Sequence, residues 1–138
     1  MNKICLFIPS MEGGGAERVF ANLANYLEDK KVNYNLLLGF KKGPNLKKIN
    51  NNNIISLESR GRYFLFKFIK YLWKEKPTQV YSTLLSANFF NSLARLMYFN
   101  KCKHILREAN IIILPDNFFK KLLIIIIYQF YYLANKII

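Results

Sequence analysis

Histidine occurs once and cysteine twice in this chain, and no C-x-x-C pair is present. A zinc centre is therefore not expected, and a reducing cytoplasm is the default setting. Acidic residues are also scarce: 8 Asp and Glu stand against 21 Lys and Arg, for a formal net charge of +13. Long apolar runs are missing too. The longest, Leu122–Ala134, is interrupted by Gln129 and falls short of the ~20 residues that a spanning helix needs. It reads as a helix either buried in the domain or lying on a membrane surface. Five apolar residues before Pro9 are too few for a signal-peptide core, so no secretory leader is expected.

What is present is the composition of a folded domain, 52% hydrophobic and only 21% charged. A chain of 138 residues is one domain that can bury a sizeable core, and a two-domain enzyme does not fit within residues 1–138. The positive field attracts phosphates or anionic lipid headgroups. Its lysines, among them Lys41-Lys42, Lys47-Lys48 and Lys120-Lys121, are spread along the chain. No single basic block marks a nucleic-acid arm, and nucleic acid is not an expected partner. Many of these lysines also read as an ordinary solvated surface.

The hydrophobic pattern alternates between two periods. Ile4–Ile8 is an uninterrupted apolar run, the mark of a parallel strand covered on both faces. After Gly13-Gly14-Gly15, residues Ala16, Val19, Phe20, Leu23, Ala24 and Leu27 recur at helical spacing. Tyr34–Phe40 and Asn53–Leu57 read as further strands, separated by the polar stretch Lys41–Asn52. Tyr63–Lys76 predicts a basic amphipathic helix, with Phe64, Leu65, Phe68, Ile69, Leu72 and Trp73 inward and Lys67, Lys70 and Lys74 outward. Val80–Thr83 and His104–Arg107 follow as strands flanking a helix, Ala87–Phe99, whose inward residues would be Phe89, Phe90, Leu93, Ala94 and Met97. Asp116 or Asn117 would cap a last helix through Ala134, and Lys136-Ile137-Ile138 looks like the start of a strand that is cut off. Strands alternating with helices imply right-handed crossovers and hence a doubly wound, mainly parallel, Rossmann-like α/β sheet.

Chemistry concentrates in Pro9–Arg18, at the carboxyl end of the first strand. Ligands of open α/β sheets bind outside the carboxyl ends of the strands, and a helix start offers unpaired N–H groups to phosphate. Two common nucleotide motifs are absent. There is no G-x-x-x-x-G-K-[ST], and the dinucleotide pattern fails because the position three after Gly15 is Arg18. The second strand runs into Phe40-Lys41-Lys42, without an acid for a ribose hydroxyl. A nicotinamide-dependent oxidoreductase is thereby disfavoured.

Three stretches carry a family resemblance. Lys3–Ser10 with Gly14-Gly15-Ala16-Glu17-Arg18-Val19 and Asn22-Leu23-Ala24 resembles the opening of family 4 glycosyltransferases, sugar transferases of the two-lobed GT-B fold. Ser82-Thr83-Leu84-Leu85 with Asn88, and His104–Asn110, resemble the family's fourth-strand region and a later strand-then-Glu-x-x-Asn type of loop. Tyr131–Ile138 resembles the helix and strand that follow. The resemblance implies the N-terminal, acceptor-side lobe of a retaining hexosyltransferase in cell-surface polysaccharide or glycolipid assembly. Its expected partners are a nucleotide-sugar donor, shared with a C-terminal lobe absent from this chain, and a glycan or lipid-linked acceptor. The nucleotide-sugar is a substrate, and no further cofactor is implied. The expected location is cytoplasmic, with peripheral contact to the inner face of the membrane. The chain reads as a truncated, inactive half.

By the same resemblance, Gly14 and Gly15 would bring main-chain N–H groups to the donor diphosphate, Gly13 would give the loop freedom, and Glu17 and Arg18 would complete the donor side. Arg107, Glu108 and Asn110 would line the acceptor pocket. Each has a plainer reading: dipole compensation for Glu17, and a loop ion pair with a turn Asn for Arg107–Asn110. His104 opens its strand rather than ending it and reads as structural. The family's donor-side pair of glutamates has no counterpart here, and no residue is assigned a catalytic role. The rival expectation is a non-catalytic basic module that pairs with a separate donor domain.

Overall fold

The computed structural model describes residues 2–49, 53–59, 61–98, 102–109 and 117–138. In chain order its elements are β1 (Ile4–Ile8), α1 (Gly15–Asp29), β2 (Tyr34–Leu38), a 3-10 turn at Pro44–Lys48, β3 (Ile54–Ser56) and α2 (Gly61–Glu75). Then follow β4 (Gln79–Thr83), α3 (Leu85–Met97), β5 (Lys103–Arg107), α4 (Phe118–Gln129), a second 3-10 turn at Phe130–Leu133 and β6 (Lys136–Ile137). The sheet order is β3-β2-β1-β4-β5-β6, with every pairing parallel. This is the doubly wound architecture that the alternating periods predict. The strand order reverses between β1 and β4, which places a crevice at their carboxyl ends.

Two apolar layers hold the sheet. Alternate residues of β1 point to opposite faces, so Leu6 and Ile8 join Phe20, Ala24 and Leu27 of α1, while Cys5 and Phe7 join α2 and α3. On the second face Phe7, Phe64 and Phe68 form a ring cluster, with Phe7 and Phe68 centroids 4.6 Å apart. Cys5 and Cys102 are buried free thiols, and burial raises both to about 12. They act as small apolar residues and stay protonated.

Several inward-facing assignments need correction. Trp73 is 51% exposed and rests edge-on against Tyr98, whereas Tyr71 is buried. The core face of α2 runs through Phe64, Phe68, Tyr71 and Leu72, and Trp73 lies one helical step beyond it. Val19 and Met97 are likewise exposed. On α3 the fully buried positions are small or polar, Ala87, Asn88, Asn91, Ser92 and Ala94, because this helix faces a hydrogen-bond network described below. The polar stretch after β2 holds a 3-10 turn whose Leu46 and Ile49 pack on the α1 layer.

The last helix departs furthest from a buried reading. Asn117 caps α4, its Oδ1 accepting from the Lys120 N–H at 3.2 Å, while Asp116 lies outside the described residues. None of the α4 residues is buried; Phe118, Phe119, Leu122, Leu123, Ile125 and Ile126 are exposed. Among the described residues no helix is long and apolar enough to cross a membrane. β6 pairs with β5 through Ile105–Lys136 and Leu106–Ile137.

Candidate functional site

The glycine loop sits at the carboxyl end of β1. Gly14 is the N-cap of α1 in extended conformation, with no side chain capping it. The first backbone bond of the helix runs from Arg18 N–H to the Gly14 carbonyl at 3.2 Å. The amides of Gly13 to Glu17 receive no acceptor from a described residue. They are five donors gathered at the positive end of a 15-residue helix, which suits an anionic oxygen. None of these three glycines has a positive φ, so the expected conformational freedom of Gly13 is not what the loop draws on. What it draws on is missing bulk: nothing lies within 4 Å of where a Cβ would stand on Gly13 or Gly15.

Gly14 differs from its neighbours. A Cβ there would overlap the carboxylate of Glu17, which folds back over the loop and is buried although it belongs to the first helical turn. Arg18 is exposed and makes no ion pair with a described residue. Gly13→Ala and Gly15→Ala should therefore leave thermal stability within about 0.5 kcal/mol, while Gly14→Ala should displace Glu17 and cost more. Equal melting shifts for all three variants would show that this loop is built otherwise.

A clamp invisible to motif reading holds the loop. Met11 N–H donates to the Lys42 carbonyl at 2.9 Å, and Asn45 N–H donates to the Met11 carbonyl at 3.1 Å. The Asn45 side chain donates to the Glu12 carbonyl at 2.7 Å, and Lys42 pairs with the Glu12 carboxylate at 2.6 Å. That last pair is exposed and contributes at most about 1 kcal/mol. The buried amide of Asn45 and the buried Met11 do more to fix the path. The sequence signal for it was the Gly43-Pro44 dipeptide, a turn marker.

The other wall of the crevice begins at Leu84, which joins β4 to α3 with φ 74° and ψ 145°. A leucine in this region is strained, and such residues cluster at binding sites. Beside the β1 end lies a cavity of about 210 Å³, walled by Phe7, Phe40, Phe64 and Phe90 with Ser59 and Ser86. Behind it a fully buried polar network joins α3 to the strands. Ser82 Oγ donates to Asn88 Oδ1 at 2.8 Å, Asn91 Nδ2 donates to Ser82 Oγ at 2.9 Å, and Asn88 Nδ2 donates to the Arg107 carbonyl at 3.0 Å. His104 belongs to this network. Its Nδ1 lies 2.7 Å from Asn91 Oδ1, an acceptor, so Nδ1 carries the proton and Nε2 is left buried without a partner among the described residues. Burial, then the nearby Arg95 charge, pushes the imidazole down to about 4. The histidine is structural, as its place at the start of the strand suggested.

Arg107 ends β5 and Glu108 follows it on the same rim, two strands from the glycine loop. Arg107 Nη1 donates to Thr83 Oγ1 at 3.4 Å, so it is tied to β4 rather than to Glu108 in a loop ion pair. Glu108 Oε2 accepts from both Tyr128 at 3.1 Å and Tyr131 at 3.2 Å. These two tyrosines were not foreseen, because their link to Glu108 spans 20 and 23 residues. Asn110 lies outside the described residues.

No protein-family model matches this sequence, and no curated protein does. Among solved structures, the crystal structure of Acinetobacter baumannii MurG superposes with a TM-score of 0.61 at 17% sequence identity. The likeness covers 99% of this chain and 40% of that one, so the chain spans about two-fifths of the MurG structure. At this identity the likeness shows the fold, a Rossmann-like lobe of the GT-B type.

Proposed function

We propose that this chain is the acceptor-side lobe of a glycosyltransferase that moves a sugar from a nucleotide-sugar to a glycan or lipid-linked acceptor. MurG is a glycosyltransferase of the GT-B fold, and 99% of this chain superposes on two-fifths of it. The observation that carries the reading is the row of amides from Gly13 to Glu17 that meet no acceptor among the described residues, with open space beside Gly13 and Gly15, at the rim where an α/β sheet takes its ligands. Such donors favour a diphosphate in the ground state and stabilise charge that builds on it as a leaving group. Gly13, Gly14 and Gly15 would hold the diphosphate, with Arg18, which pairs with no described carboxylate, as a cation beside them and Glu17 setting the loop's shape. Arg107, Glu108 and Asn110 would face the acceptor. Hexosyl specificity, family 4 membership, peripheral membrane contact and a role in cell-surface polysaccharide or glycolipid assembly complete the proposal, on the strength of the sequence resemblance.

The test titrates a nucleoside diphosphate into the isolated chain by amide-detected NMR. Shifts are expected at Gly13–Glu17, weakened several-fold in Gly15→Ala although that variant is as stable as the parent. Addition of a donor-binding lobe and a nucleotide-sugar should then give transfer to a lipid-linked acceptor. Diphosphate binding without transfer in that mixture would favour the binding-module reading, and no shift at the loop would sink both.

A further inference from the structure

A second concavity, of about 540 Å³, lies where α4, the second 3-10 turn and β6 meet. Its volume is in the range of small-ligand sites. Ile124, Ile125, Tyr128, Tyr131 and Ile137 wall it, and Glu108 supplies its carboxylate. Both phenols spend their protons on one oxygen, Glu108 Oε2. Their polar tips are thereby satisfied, and what they present to the groove is ring surface, with centroids 4.7 Å apart. Oε1 takes no hydrogen bond from a described residue and remains to accept from a ligand. The Tyr128 hydroxyl, raised to about 12 by burial and then by the carboxylate beside it, stays a donor to Oε2 throughout the physiological range.

The groove is continuous in sequence with the exposed apolar residues of α4, Leu122, Leu123, Ile125 and Ile126, which no described element covers. Lys120 and Lys121 are exposed on the same helix, and Lys136 is exposed on β6. Apolar surface flanked by lysines complements an anionic lipid surface, and the lipid is then the source of what fills the groove. A carboxylate lining a mostly apolar groove, with Gln129 the other polar side chain there besides the tyrosines, selects further. It repels an anionic head and accepts from a hydroxyl or amide.

We propose that this groove binds one neutral hydrocarbon chain drawn from a lipid surface, with Glu108 Oε1 accepting from the hydroxyl- or amide-bearing end of that chain. Its identification as part of the acceptor rests on the transferase reading, but chain binding itself does not, and it is measured without donor or transfer.

The experiment uses the full 138-residue chain at pH 7.5 with 1-dodecanol and dodecanoate as probes, both below their aggregation concentrations, followed by saturation-transfer NMR. The alcohol should bind about tenfold more tightly than the carboxylate, because like charges at a partly buried site repel. The preference is diagnostic because the net charge of +13 pulls the other way. Glu108→Gln should bring the two probes within about twofold of each other. Ile125→Trp, a substitution at an exposed position that fills the groove, should abolish both while circular dichroism stays that of the parent. Equal binding of alcohol and carboxylate by the parent chain would overturn the proposal, as would undiminished binding by Ile125→Trp. So would sedimentation showing a dimer that takes up neither probe, since a second copy would then be the occupant. If Glu108→Gln fails to fold, Tyr128→Phe gives the readout: it frees one lone pair of Oε2, and alcohol binding should be kept or strengthened.

Discussion

Gly43→Ala should unfold this domain more readily than any other single methyl added to a glycine, with a loss of about 3 kcal/mol or more in denaturant titration. Two costs coincide there. Gly43 has φ 114° and ψ 154°, a region essentially closed to residues with a Cβ. It also lies against the Met11 carbonyl and the Glu12 amide, and a Cβ would overlap both. Relief requires pulling the 3-10 turn away from the glycine loop, which breaks the Asn45 bonds to Met11 and Glu12. The same substitution should therefore blunt diphosphate binding at Gly13–Glu17 even where the variant stays folded. A Gly43→Ala chain that melts with the parent and keeps its loop shifts would show that the clamp does not set the site.

Acid should weaken the domain before its carboxylates titrate. His104 is held at about 4 in the folded chain and returns to an ordinary value near 6.5 when unfolded. Between those values the unfolded state binds the extra proton, so stability falls as pH falls. Across the window from about 6.5 to about 4 the loss amounts to about 3 kcal/mol. Glu58 and Glu75 are held below the usual carboxylate range, by the Ser56 hydroxyl and by Lys3 respectively, and lose their stabilisation only as pH drops below about 4.5. The upper part of the window thus belongs to the histidine. Chemical denaturation at pH 7 and pH 5 should differ by nearly 2 kcal/mol in the parent chain, and His104→Gln should flatten that difference. A parent chain equally stable at both pH values would mean that Nε2 has a partner, such as a buried water that accepts a hydrogen bond from the protonated Nε2–H.

The glycine-loop region was legible for a local reason. Strand, glycine turn and helix are consecutive in the chain, and Ile4–Leu27 carries both periods and the break between them. The placement of Arg107 and Glu108 on the same rim followed as well, since each parallel strand delivers its carboxyl end to one edge. The partners of those residues did not follow. Asn45 reaches Glu12 across 33 residues, and Tyr131 reaches Glu108 across 23, and no spacing rule encodes such pairs. The inward face of α3 was read only in part, for a related reason. Ala94 is buried and Phe90 packs on the core as expected, but Met97 is exposed, and Ser82 and His104 on the strands beneath require donors and acceptors. Asn88 and Asn91 therefore take the buried positions.

The chain's own order of residues determined that a parallel, doubly wound sheet forms and that its first helix opens on bare amides, because these depend on periodicity and on glycine within a few residues. Only the tertiary structure decided which amides find no acceptor among the described residues, that Gly43 rather than Gly13 is the conformationally special glycine, and that α4, covered by no described element, lines an apolar groove. Those outcomes depend on which surfaces meet across distant stretches of chain. Packing and hydrogen-bond satisfaction settle them, and local propensity does not.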